Sequence, residues 1–208
     1  MAPAFRLVVA ALTLATAVFA APLEERQSGC ADVMVENSVS HHGTSILTLL
    51  KLFFARGTTE TAPIGLPGGV GATLRDSLSS RLGGRSLSFQ GVDYPANIAG
   101  FLAGGDPAGS RTMAADITGA ANSCPNAKIV SVGYSQGAQL VHNSAKMLTS
   151  AVTSRVNAVV TFGDPFQNEP VGNIPSSNVR VVCHTGDNIC EGGNLVLAPH
   201  LYVFRHCL

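Results

Sequence analysis

Residues Lys128-Ile129-Val130-Ser131-Val132-Gly133-Tyr134-Ser135-Gln136-Gly137-Ala138-Gln139-Leu140-Val141 decide how this chain is read. The first half is a short apolar run rich in β-branched residues, and the second half carries helix formers, so a strand gives way to a helix at the serine. A serine held at such a junction has to adopt a strained turn. Glycine is needed two positions before and two after it, because a side chain there would collide with neighbouring backbone. The turn lifts the hydroxyl off the sheet, and the helix behind it directs its first N–H groups and positive dipole end at the same point. As a bare pentapeptide, Gly133-Tyr134-Ser135-Gln136-Gly137 is often accidental; between a strand and a helix it makes Ser135 a candidate nucleophile.

Outward from this junction, apolar β-branched runs alternate with helical patterns, the signature of a parallel sheet wrapped by helices. Strands are expected at 31–35 resumed at 52–55, then at 86–92, 128–134, 157–162 and 179–184. Helices are expected at about 69–82, 110–122 and 136–153, with Gly/Pro-rich loops at 63–71 and 103–109. The chain has 208 residues, which suits one α/β domain. Acids and bases balance at 13 each, so charge points to no nucleic acid and no anionic membrane surface, and a neutral substrate fits better. A monomer is expected, and the residues call for no metal or cofactor.

Arg6 followed by an apolar run over 7–21 that ends in small residues has the layout of a secretory signal peptide, with cleavage after Ala20. The expected product is soluble and extracellular. Residues 21–29 suit a pro-region or mobile terminus, which leaves 30–208 as the folded domain. Export permits disulfides among the five cysteines, Cys30, Cys124, Cys183, Cys190 and Cys207. Any four of these can pair in three ways. Cys183 and Cys190 bracket a short Gly-Asp turn and are the cheapest closure, which leaves Cys30 with Cys124.

A serine hydroxyl is a poor nucleophile until a histidine takes its proton, and that histidine needs a carboxylate to fix its tautomer. After a serine in this setting the chain order is acid, then histidine. Of the downstream histidines, His142 lies on the helix that follows the serine and reads as a surface residue, His184 ends a strand beside Cys183, and His206 sits in an atypical tail. His200 follows a loop able to carry it back over the sheet edge and is the best base. Asp164 and Asp187 both end strands. Asp164 precedes Pro165, where aspartate often caps a loop. Asp187 lies inside the loop that Cys183 and Cys190 would staple, which favours it as the acid because the staple preorganises the loop.

With these residues in place the chain resembles fungal cutinases, lidless α/β hydrolases. The resemblance rests on Cys30-Ala31-Asp32-Val33, Phe54-Ala55-Arg56-Gly57-Thr58-Thr59-Glu60, Gly105-Asp106, Cys124-Pro125, Gly133-Tyr134-Ser135-Gln136-Gly137, and Cys183-His184-Thr185-Gly186-Asp187 through Cys190 to His200. It implies a five-stranded, mostly parallel α/β-hydrolase sheet flanked by helices, and a secreted serine esterase acting on cutin-like polyesters and short to medium acyl esters through an acyl-enzyme. It implies a Ser135, Asp187, His200 triad, and an oxyanion hole from the Thr58 hydroxyl with the N–H groups of Thr58 and Gln136. It also implies the bridges Cys30–Cys124 and Cys183–Cys190. Acetylxylan esterases share the fold and triad and are the second reading. A catalytically impaired secreted protein that recognises a host surface is a third, of another class.

The chain departs from the pattern twice. Residues 36–52 interrupt what the family runs as one central strand, and 201–208 stand where the family continues into a long helix. Both read as unspliced intron sequence, with a genuine surface loop as the alternative for the first. As an insert within a buried strand, 36–52 is expected to misplace Thr58, and the short tail to expose an apolar sheet face.

Overall fold

In the computed structural model, which describes residues 49–83 and 85–203, five strands form one parallel sheet. They are β1 (Leu50–Ala55), β2 (Leu87–Gly91), β3 (Lys128–Tyr134), β4 (Val156–Phe162) and β5 (Val179–Val182), in the order β2-β1-β3-β4-β5. Side chains alternate across the sheet, and each face buries its own apolar set. Phe53, Ala55, Ile129 and Val159 pack with Met113 and Ile117 of α3 (Pro107–Ser123) and Leu140 and Val141 of α4 (Gln136–Ala145). Leu52, Phe54, Val132, Tyr134 and Phe162 face the other way, against Val70 and Leu74 of α1 (Val70–Arg81) and the fully buried Val203. On this second face Val130, Val160 and Val182 are only partly buried. No helix among the described residues is long and apolar enough to cross a membrane.

Helix boundaries depart from the expectations where capping residues act. Asp106 accepts from Gly109 N at 2.6 Å and Pro107 fills the first turn, so α3 starts earlier than 110. The expected helix 136–153 divides, because Thr149 caps a new start and accepts from Val152 N, giving α5 (Ser150–Thr153). Two short helices were not read from the sequence: α2 (Ile98–Leu102), capped by Asn97, and α6 (Ala198–Leu201).

One boundary corrects the reading of the insert. Leu50, Lys51 and Leu52, assigned above to residues 36–52, are the first half of β1, in register with Leu87, Ser88 and Phe89 on one side and Lys128, Ile129 and Val130 on the other. Leu50, Leu52 and Phe54 supply the same alternation that Val33 and Val35 offered. The strand β1 is therefore continuous through Leu50–Ala55, and Thr58 follows three residues beyond its end. Residues 1–48, which include the expected signal peptide, pro-region, strand 31–35 and most of the insert, and residues 204–208 lie outside the described residues.

Chain order reverses between β1 and β3, and the carboxyl ends of the strands at such a reversal are the usual binding point of parallel sheets. Thr58 follows β1 and Ser135 follows β3, while Asp164 and Asp187 follow β4 and β5.

Candidate active site

Ser135 takes φ 56° and ψ −120° between β3 and α4, a left-handed value that a non-glycine residue adopts only under constraint. Its N–H donates to Phe162 O at 2.9 Å and its carbonyl accepts from Ala138 N at 2.8 Å, which tie the turn to β4 and to the helix. The flanking glycines are sterically required. A Cβ on Gly137 would lie 1.9 Å from Ala55 O, and one on Gly133 would lie 2.3 Å from Gly137 O.

Asp187 and His200 meet behind this turn. His200 Nδ1 is 3.0 Å from both carboxylate oxygens of Asp187, and both residues are buried. The carboxylate is held in turn. Its Oδ1 accepts from Ile189 N at 3.1 Å, Cys190 Sγ lies 3.4 Å from Oδ2, and the Cys183–Cys190 disulfide closes the loop around it. Cys124 is also disulfide-bonded; Cys30, assigned to it by the sequence, lies outside the described residues. Among the described residues no hydrogen bond joins Ser135 Oγ to His200, whose ring contacts Asp187.

Two residues that sequence reasoning passed over seat the imidazole. The Tyr134 ring stacks on His200 at 5.1 Å between centroids, and its hydroxyl donates to His200 O at 3.3 Å. Burial raises the Tyr134 phenol, and the charges of Glu60 and Asp187 push the same way, so it stays a neutral donor. Gly163, at φ +56°, lies against the other edge of the imidazole: a Cβ there would lie 2.4 Å from Cε1 and 2.6 Å from Nδ1. Gly163 sits at the end of β4, a position from which a strand-end glycine can be suspected; nothing local to Tyr134 signals its role.

The other candidates separate cleanly. Asp164 does not reach His200. Its Oδ2 is 3.0 Å from His142 Nε2 and its Oδ1 accepts from Phe166 N at 2.8 Å. His142, read above as a surface residue, is fully buried, because α4 is covered by the sheet and by neighbouring helices. His184 Nε2 lies 3.3 Å from Tyr202 O, and His206 is outside the described residues. Thr58 and Gln136 come together, with Gln136 Nε2 donating to Thr58 Oγ1 at 2.9 Å. The loop carrying Thr58 is braced by Arg56, whose guanidinium donates to Glu60 O at 2.8 Å and Tyr94 O at 2.6 Å, and by Glu60, whose Oε2 accepts from Gly57 N at 2.6 Å.

A strained serine at a strand-to-helix turn, a buried carboxylate–imidazole couple and a threonine loop, gathered at the carboxyl edge of a parallel sheet, are the arrangement of α/β hydrolases. The comparisons narrow that class. Residues 48–206 match the family model described as Cutinase. A cutinase from Botryotinia fuckeliana is 44% identical over 194 residues, covering 93% of this chain and 87% of that one. The solved Trichoderma reesei cutinase in complex with a C11Y4 phosphonate inhibitor superposes with a TM-score of 0.71 at 44% identity, over 75% of this chain and 70% of its own. An iodinated acetyl xylan esterase superposes with a TM-score of 0.60 at 24% identity, over 78% of this chain and 94% of its own, which shows the shared fold alone. The chain belongs to the cutinase family, carboxylic ester hydrolases with the α/β-hydrolase fold.

Proposed function

We propose that the protein is a secreted, monomeric serine esterase that cleaves cutin-like polyesters and short to medium acyl esters, with Ser135, Asp187 and His200 as its triad. The observation that carries this reading is the buried pair of His200 Nδ1 and Asp187 at 3.0 Å, set behind a serine in a left-handed turn. Asp187 accepts from Nδ1–H and leaves Nε2 as the base. Ser135 Oγ attacks the ester carbonyl as its proton passes to Nε2. The Thr58 hydroxyl and the N–H groups of Thr58 and Gln136 donate to the developing oxyanion. Collapse expels the alcohol, which takes the proton from His200 and leaves an acyl-Ser135. Water, deprotonated by the same imidazole, then attacks that ester and releases the acid.

Exposed apolar side chains favour a polyester over an acetylated polysaccharide. Leu195, Val196 and Leu197 lead directly into the short helix that carries His200, and each is more than two-fifths exposed. Ile98 and Leu102, on the helix whose capping carbonyl receives the Gln136 amide, are 61% and 67% exposed. Apolar surface of this kind beside the nucleophile suits an insoluble aliphatic substrate. The test compares release of acid from an aliphatic polyester film with release of acetate from acetylated xylan, using p-nitrophenyl butyrate as the common reference. Hydrolysis of film and butyrate with little acetate release supports the reading. Preferential acetate release shifts it to an acetylxylan esterase, and no turnover of any substrate leaves the surface-recognition alternative.

A further inference from the structure

The Gln136 side chain is fully buried although it adjoins the nucleophile, and it spends both amide hydrogens on protein groups. Nε2 donates to Thr58 Oγ1 at 2.9 Å and to Asn97 O at 2.8 Å. Among the described residues Oε1 is buried with no hydrogen-bond partner, and Gly100 lies so close that a Cβ there would be 2.7 Å away. An unpaired buried acceptor costs stability, so its persistence calls for a reason.

The reason lies in which way the amide must face. Asn97 O only accepts, so the amide atom against it has to be nitrogen; the flipped amide would set two oxygens 2.8 Å apart. That carbonyl is itself fixed, since Asn97 caps α2 through Gly100 N at 2.8 Å and its carbonyl also receives Phe101 N. Thr58 Oγ1 therefore faces a nitrogen that can only donate to it. One of its lone pairs is occupied, and its own hydrogen has to go to another acceptor. Among the described residues the Thr58 hydroxyl donates to nothing. The backbone beside it is pinned to the same loop by Thr59 N donating to Ala96 O at 2.7 Å.

We propose that the Gln136 side chain is a positioning residue that makes the Thr58 hydroxyl an obligate donor to the reacting carbonyl oxygen. This rests on the oxyanion reading given above. It differs from the role of the Gln136 backbone N–H, because it assigns work to the side chain. A preset donor needs no reorientation when charge develops, and the benefit falls on the transition state rather than on ground-state binding. The readout is accordingly kcat, with KM little changed.

The experiment compares Thr58→Val, Gln136→Glu, Gln136→Met and the double variants that combine each Gln136 change with Thr58→Val. It measures kcat and KM on p-nitrophenyl butyrate, with melting curves for every protein. Thr58→Val is expected to lower kcat roughly 100-fold, the effect of one oxyanion donor. Gln136→Glu turns the amide into an acceptor that captures the Thr58 proton, so it should lose a comparable factor. Gln136→Met frees the hydroxyl to rotate and should lose about tenfold. Neither Gln136 change should lower kcat further once Thr58 is valine, which a purely structural role would not produce. Losses that multiply in the double variants, or Gln136 variants that keep native kcat while Thr58→Val is impaired, overturn the inference and leave the oxyanion reading intact. Native kcat in Thr58→Val overturns that reading as well. If Gln136→Glu fails to fold, the Gln136→Met cycle decides by the same criterion.

Discussion

Gly163→Ala is the perturbation whose effect the structure sizes most directly. The added Cβ would lie 2.4 Å from His200 Cε1 and 2.6 Å from Nδ1. Carbon atoms in contact sit about 3.5–4.0 Å apart, so the imidazole must retreat by about 1 Å. That retreat disturbs the two 3.0 Å contacts to Asp187 and shifts Nε2 relative to Ser135. Misplacement of a catalytic group by about 1 Å costs on the order of 100-fold in rate. The backbone adds a separate cost of about 1–2 kcal/mol, because alanine tolerates φ +56° poorly. Gly68→Ala isolates that second cost: Gly68 has φ +84°, and nothing lies within 4 Å of its missing Cβ. The assay is kcat/KM on p-nitrophenyl butyrate with a melting curve for each variant. Both variants should melt lower than native, and only Gly163→Ala should lose about two orders of magnitude in kcat/KM. Equal activity in the two would refute the argument that Gly163 seats the imidazole.

Asp187→Asn should lower kcat by roughly 10⁴, since the amide holds His200 in the wrong tautomer, whereas Asp164→Asn should cost about 1–3 kcal/mol in melting stability through His142 and little turnover. The reverse ranking in paired melting and rate measurements would give Asp164 the acid role. Burial pushes the Glu60 carboxyl up, against the Gly57 N–H and Arg56, which pull it down. The native state thus holds this proton more tightly than the unfolded chain, and the contribution is fullest at acid pH and lost as pH rises through the raised value. Glu60→Gln should therefore gain melting temperature relative to native at pH 8 and not at pH 4; a constant difference across that range would contradict the assignment. Deleting 36–52 should leave kcat of the folded fraction within about twofold, because Leu50–Leu52 already complete β1 and Val33–Val35 would take over their register. A large gain in kcat would mean that Thr58 is misplaced in the intact chain.

The sheet was legible from its short apolar runs, β-branched in β3, β4 and β5 but built of leucine and phenylalanine in β1 and β2, and the turn at Ser135 because its pentapeptide lies between a strand and a helix. The positions of Asp187 and His200 followed from chain order and from the stapled loop, both of which are local in sequence. What escaped was set by contacts between distant segments. Burial of His142 comes from packing around α4 and from Asp164, 22 residues away, and a single histidine on a helix carries no sign of it. Tyr134 and Gly163 act through His200, which reaches them only after the chain has returned across the sheet. The start of β1 was misjudged for another reason. Val33-Met34-Val35 and Leu50-Lys51-Leu52 offer the same two-residue alternation, and only the register with β2 and β3 distinguishes them.

The central claim is that Ser135 is the nucleophile, and a covalent label tests it most directly. The protein is incubated with a p-nitrophenyl alkylphosphonate, and adduct mass, labelled peptide and released p-nitrophenol are measured together with ester turnover. One adduct per chain on Ser135, with turnover lost in step, is the predicted result. Ser135→Ala should take no label and hydrolyse no ester while melting like the native protein. A label on another residue, or a tenth of native kcat surviving in Ser135→Ala, would place the chemistry elsewhere.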